Sequence, residues 1–193
     1  MHKPHVIAAT LFACCLLAAT PSLAPAQAAA PAKPAVGAAI PPAQVYGKLL
    51  SGMEQEFVSA AEAMPEDKYN FAPATGEFKG VRTFAGQIKH VAESNYYFFG
   101  GSDYTEAADK AQTDAIEKLT SKADIVKALK DSFAKAHVLV DSMTADNAFT
   151  NTAHGTRAGM VAFGMAHFMD HYGQIVEYLR LNGIVPPASR GGM

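Results

Sequence analysis

Residues 156–183 read TRAGMVAFGMAHFMDHYGQIVEYLRLNG and predict the last helix of the fold, from about Thr156 to Leu181. Apolar side chains recur there at alternating steps of four and three residues, so they share one face of a helix. They are Val161, Met165, Phe168, Tyr172, Ile175 and Leu179. Asn182-Gly183 favours a left-handed stop, and Pro186-Pro187 prevents continuation. The segment is therefore an amphipathic helix with a packing seam.

A polar stripe lies directly beside this seam. A shift back by one residue gives Gly164, His167, His171, Gln174 and Tyr178. A second predicted helix, from about Val81 to Phe99, repeats the arrangement, with a seam of Phe84, Ile88, Val91, Asn95 and Phe98. Its neighbouring stripe is Thr83, Gln87, His90, Ser94 and Tyr97. If the two stripes face each other, three imidazoles converge in one half-buried pocket.

The three histidines suit one divalent metal ion. His167 and His171 are four residues apart, which places their β-carbons about 5–6 Å apart on one helix face. His90 supplies a third ligand from the other helix. Three neutral nitrogens leave a coordination position open, as in catalytic zinc sites, where the ion activates water or a substrate oxygen. Zinc is the metal we expect, and nickel, iron or copper also suit three imidazoles.

A metal-bound imidazole donates its other N–H to a partner that fixes the ring. We predict these partners among nearby polar side chains, namely Gln87, Glu93, Asn95, Asp170 and Gln174. The alternative is that the histidines are solvated or hydrogen-bonded core groups without a metal. His137, one step beyond the seam of another helix, and His154, in a polar loop, are interpreted as surface or loop histidines.

The rest of the chain predicts two more long helices. The first runs from Pro42 or Ala43 to Met64, and the third opens at Ser121 and carries apolar residues to Met143. Residues 65–80 are predicted to form an ordered loop, and residues 101–120 a polar segment with about one helical turn. Because no strand-like alternation is present, the sequence predicts an all-α four-helix bundle over residues 43–190. The order of the helices stays open.

The amino terminus has the pattern of a cleaved signal peptide over residues 1–28, with Ala26-Gln27-Ala28 at the cleavage site. An Ala/Pro-rich linker follows over residues 29–42. We therefore expect an exported protein, periplasmic or secreted. Cys14 and Cys15 leave with the signal, and a lipoprotein is disfavoured because Phe12 fits its cleavage box poorly. The apolar run is shorter than the roughly twenty residues of a membrane span.

Charge and motifs exclude several classes. The chain has 16 Lys and Arg against 18 Asp and Glu, and residues 1–28 contain one lysine and no acid. The remaining net charge of 15 minus 18, or −3, without a basic cluster disfavours nucleic-acid partners. No phosphate loop, G-x-S-x-G elbow or dinucleotide fingerprint is present. The stretch from His167 to His171 lacks the glutamate of the zinc protease motif.

Two stretches carry a family resemblance. The first comprises MPEDKY (64–69), FAP (71–73), Phe84 and HVAESNY (90–96). The second comprises HFMDHYGQ (167–174) and YLRLNGIVPPAS (178–189). With these motifs the chain resembles the DinB/YfiT-like family of metalloenzymes, over about residues 45–190. The resemblance implies a four-helix bundle whose metal is held by His90, His167 and His171, and a homodimer.

The resemblance leaves two function classes open. Relatives of this fold include transferases and isomerases that use low-molecular-weight thiols, but those thiols are mostly cytoplasmic and an exported chain disfavours them. The first hypothesis is a metal-dependent enzyme of hydrolase type acting on a small molecule. The second is a non-catalytic protein of the cell envelope that binds a metal or small ligand.

Overall fold

Helices form most of the regular structure in the computed structural model, which describes residue 2 and residues 33–101 and 105–191. The helices are α1 (Pro42–Ala63), α2 (Phe84–Phe99), α3 (Glu106–Glu117), α4 (Lys122–Asp141) and α5 (Arg157–Leu181). A two-stranded antiparallel hairpin, β1 (Asn151–Thr152) and β2 (Gly155–Thr156), precedes α5. The all-α prediction is confirmed. The predicted signal peptide lies, apart from His2, outside the described residues.

Helix starts follow local sequence chemistry. The hydroxyl oxygens of Thr83, Ser121 and Thr156 each accept a hydrogen bond from the backbone N–H three residues later, at 3.0–3.1 Å. Such caps satisfy one of the free N–H groups at a helix start. Because Thr83 is the cap, α2 begins at Phe84, three residues after the start predicted at Val81.

Two pairs of helices run antiparallel. Lys122 Nζ at the start of α4 donates to the Met64 carbonyl just after α1, at 2.7 Å, and His137 further along α4 contacts Glu54 further back in α1. Helices α2 and α5 are antiparallel as well. Tyr178 near the end of α5 donates to the Arg82 carbonyl just before α2. These contacts set the directions that the sequence left open.

Helices α2 and α4 run in the same direction. Asn95 Nδ2 donates to Ser132 Oγ at 3.0 Å. Gly101, just after the end of α2, lies beside Leu139 further along α4. Helix α1 packs against α4 and α5, and α2 packs against the same two helices. The four long helices therefore form a bundle with an up, down, down, up order.

The parallel pair requires a return connection, and α3 is part of it. Lys89 Nζ of α2 contacts both the carbonyl and the carboxylate of Glu117 in α3, at 2.8 and 3.0 Å. The prediction of about one helical turn in residues 101–120 is wrong, because α3 has 12 residues. It buries only Ile116, so its sequence carries little apolar periodicity.

The core contains the predicted seams. Phe57 of α1, Phe133 of α4 and Phe168 of α5 are fully buried, with ring centroids 5.2–6.4 Å apart. Every predicted seam residue of α5 is buried except Tyr172, which is half-buried. The polar stripe is thereby fixed at the edge of the core. Among the residues described, no helix combines the length and apolar character needed to cross a membrane.

Candidate metal centre

Helices α2 and α5 bring the three predicted histidines together. The ring centroids are 5.1 Å apart for His90 and His167, 4.8 Å for His90 and His171, and 4.7 Å for His167 and His171. One nitrogen from each ring lies within 4.8 Å of the other two. The spacing argument from two separate helices therefore predicted a real cluster.

Burial keeps these imidazoles neutral near pH 7. His171 is buried, and His90 and His167 are half-buried. Burial, followed by the nearby Arg82 charge, lowers the pKa of His90 from 6.5 to about 4. Burial and the neighbouring His167 lower the pKa of His171 to about 4, and burial also lowers that of His167. Neutral imidazole is the form that binds a metal ion.

A chain of side-chain hydrogen bonds fixes the orientation of His171. Its Nδ1–H donates to Gln87 Oε1 at 2.6 Å, with the tautomer assigned from this contact. Gln87 Nε2 donates to Gln174 Oε1 at 2.7 Å, and Gln174 Nε2 donates to Asp170 Oδ2 at 3.0 Å. Nε2 of His171 is left for a ligand. Three of the five predicted polar partners, Gln87, Gln174 and Asp170, therefore form one relay that ends on the His171 ring.

The surroundings of His167 fit a metal ion. Its Nδ1 is buried and has no hydrogen-bond partner among the described residues. A buried ring nitrogen without a partner is destabilising unless a further group satisfies it. Two nitrogens bound to one tetrahedral zinc ion are about 3.3 Å apart, so ring shifts of about 1 Å would bring the three into coordination range. The donor set and the buried nitrogen both suit a divalent transition metal.

Close packing at Gly164 brings the histidine-bearing helices together. A β-carbon at this position would lie 2.8 Å from Phe98 Cβ and 2.8 Å from Phe99 Cε2. Real β-carbon contacts are not this short, so only glycine lets α5 approach α2 here without a shift. The Phe98 ring in turn lies 5.2 Å from the His167 ring. The spacing between α2 and α5 at the site therefore depends on the absence of a β-carbon at Gly164.

The remaining sequence-predicted residues lie elsewhere. Asn95, predicted as a histidine partner, contacts Ser132 in the interface between α2 and α4. Five residues turn it about 140° around the helix from His90, which explains the different neighbour. His137 Nε2 contacts Glu54 Oε2 at 2.6 Å between α4 and α1, and His154 packs on Tyr97. Neither histidine joins the cluster.

Sequence reasoning missed two charged groups around His90, namely Arg82 and Glu117. The guanidinium of Arg82 lowers the pKa of all three histidines, whereas Glu117 of α3 raises that of His90. Burial and the neighbouring Glu117 carboxyl raise the pKa of Glu93 to about 7. Arg82 precedes the cap of α2, so its proximity could have been inferred. Glu117 could not, because the path of α3 was not predicted.

The fold and the site together define a class: a helical bundle with a three-histidine cluster between two antiparallel helices. The family model of the DinB superfamily matches residues 49–175 of this chain. The chain therefore belongs to the DinB superfamily, as its motifs indicated. A search of curated proteins finds no match.

A Gly164→Ala substitution tests the packing constraint. We expect the added methyl group to push α2 and α5 apart and to lower the free energy of unfolding by about 1–3 kcal/mol. Urea denaturation of the metal-free protein measures this change.

Gly173→Ala is the matched control on the same helix, because apart from its chain neighbours and the adjoining helix backbone no atom lies within 4 Å of a β-carbon there. We expect this change to be neutral or to stabilise by up to about 1 kcal/mol, from helix propensity. Equal stability of Gly164→Ala and the wild type would contradict the packing argument.

Proposed function

We propose that His90, His167 and His171 bind one zinc ion, and that the protein is a metal-dependent enzyme of hydrolase type acting on a small molecule. The observation that carries this proposal is the convergence of three neutral imidazoles, one of them oriented by Gln87. Membership of the DinB superfamily supports it. Nickel and iron are the alternative metals, since three nitrogen ligands do not select among them.

The protein's own residues hold and orient the ligands. His90 approaches from α2, and His167 and His171 approach from α5. Gln87 keeps the Nδ1–H of His171 engaged, so the ring presents Nε2 towards the shared space. The ion, when bound, supplies Lewis-acid polarisation of a water or a substrate oxygen. Three protein ligands would leave a coordination position for a substrate.

A non-catalytic metal or small-ligand binding protein is the second candidate. The observation favouring it concerns Asp170, the carboxylate whose charge acts on both His167 and His171. This carboxylate already accepts the hydrogen bond of Gln174, as a purely structural group would. The homodimer, and the expectation of no nucleic-acid partner, stay predictions from the sequence.

Metal analysis with two variants of the site tests the binding proposal. We expect about one divalent metal ion per wild-type chain and loss of metal from His171→Ala. Gln87→Leu removes the acceptor of the His171 N–H and should weaken metal binding about 10–100-fold. Stoichiometry is measured by elemental analysis after dialysis, and affinity by competition with a chromophoric chelator.

His137→Ala is the control, because this histidine contacts Glu54 between other helices. It should retain the full metal content. A wild-type protein that holds no divalent metal under non-chelating conditions would reject the proposal, as would undiminished metal in His171→Ala.

Hydrolysis assays separate the enzyme from the binding protein. We expect the zinc-loaded protein to hydrolyse at least one class in a panel of small esters, amides and phosphoesters. His171→Ala and chelator-treated protein should lose this activity at least 100-fold. Activity that survives both treatments would exclude catalysis by the ion. A metal-loaded protein inactive on the whole panel would favour the binding protein and count against the hydrolase.

We also propose export to the periplasm or the medium, supported by the signal-like pattern of residues 1–28. Amino-terminal sequencing of the full chain expressed in a bacterial host should give a mature start at Ala29. An Ala28→Arg variant should remain uncleaved. Accumulation of the uncleaved wild-type chain in the cytoplasm would contradict export.

A further inference from the structure

A cavity lies along the same groove that holds the histidines. On α2 the polar stripe continues from His90 through Ser94 to Tyr97, and on α5 it continues back from His167 through Gly164 to Met160. Because the two helices are antiparallel, Tyr97 and Met160 meet at one end of the groove. A cavity of about 210 Å³ lies there, bounded by the end of α2, the β1–β2 hairpin and the first turn of α5.

The wall of this cavity is mainly apolar and connects with the histidine cluster. Phe98, Leu139 and Met160 line it together with Tyr97. The Phe98 ring is shared, because it also lies 5.2 Å from the ring of His167. The Phe98 side chain therefore forms part of the wall of both the cavity and the histidine cluster.

Arg157 gives the polar side of the cavity a positive charge. Arg157 and His154 line it, and no acidic side chain is among its described lining residues. Arg157 Nη1 donates to Ser142 Oγ at 3.3 Å, which holds the guanidinium in place. Its Nε–H is buried and has no acceptor among the described residues. Arg157 is half-buried at the wall of the cavity, and charge-assisted hydrogen bonds from a guanidinium to an anionic oxygen are strong.

The size of the cavity limits the ligand. A protein cavity of about 150 Å³ accommodates benzene. A volume of about 210 Å³ therefore admits a body the size of one aromatic ring together with a carboxylate. Arginine donates two parallel N–H bonds to the two oxygens of a carboxylate. A neutral ligand group does not accept such a pair equally well.

We propose that this cavity binds a small organic acid, with its carboxylate at Arg157 and its apolar body against Phe98 and Met160. The inference rests on the proposed function, since it assigns the substrate class of the neighbouring histidine site. It also makes a separate claim about binding that does not require the metal.

A charge series of one ligand shape tests this proposal on the metal-free full chain. The probes are phenylacetate, neutral phenylacetamide and cationic 2-phenylethylamine, titrated against amide chemical shifts in NMR spectra. We expect phenylacetate to bind at least tenfold more tightly than either analogue, with shifts at Tyr97, Leu139 and Met160. Arg157→Gln should weaken phenylacetate binding at least tenfold and so abolish this preference.

The matched control is Arg180→Gln, which changes an exposed arginine of the same helix, paired with Glu177. It should leave phenylacetate binding unchanged. Ala153→Leu fills the cavity without altering its charge and should weaken phenylacetate binding at least tenfold, which decides the case if Arg157→Gln fails to fold. Equal affinity for the three probes, or undiminished binding in a folded Arg157→Gln or Ala153→Leu variant, overturns the proposal.

Metal content of the same preparations separates the two proposals. An anion preference in a protein that binds no metal would reject the proposed function and retain the acid-binding cavity. Full metal binding without an anion preference would reject the cavity proposal alone.

Discussion

Close packing of α5 on α2 at Gly164 is the constraint on which the site depends. The helices can approach there because no β-carbon separates the backbone of α5 from Phe98 and Phe99. His167 lies less than one turn further along α5, and its ring packs against Phe98. The distance between the two helices therefore sets how near His90 comes to the pair on α5. A bundle with ordinary side chains at this crossing would hold the same histidines further apart.

Burial at the edge of the core has an electrostatic consequence. The half-buried rings cannot easily carry protons, so their pKa values fall below those of exposed histidines. The amides of Gln87 and Gln174 offset part of the cost of burying polar groups by bonding to each other and to His171. This arrangement leaves His167 with an unsatisfied nitrogen. Within the polar stripe, His171 therefore has a hydrogen-bond partner and His167 Nδ1 has none among the described residues. Such an unpaired buried nitrogen is typical of a ligand site.

Chain topology supplies what surrounds this site. Because α2 and α4 are parallel, the chain must travel back along the bundle, and α3 does so against α2. This return brings the Glu117 carboxylate into the electrostatic neighbourhood of His90 and Glu93. The hairpin before α5 covers the other end of the groove and contributes to the cavity beside Phe98. Both features come from connections and not from the four long helices.

The sequence by itself determined the seams, the helix caps and the histidine stripe, because these depend on the periodicity of one helix and on residues a few positions apart. The seam of α5, the cap at Ser121 and the convergence of the three histidines were predicted in this way. Only the tertiary structure decided the helix directions, the path of α3, the placement of Asn95 against Ser132 and the cavity at Arg157. These depend on which faces meet across the bundle, and such contacts between distant residues leave no local periodicity in the chain.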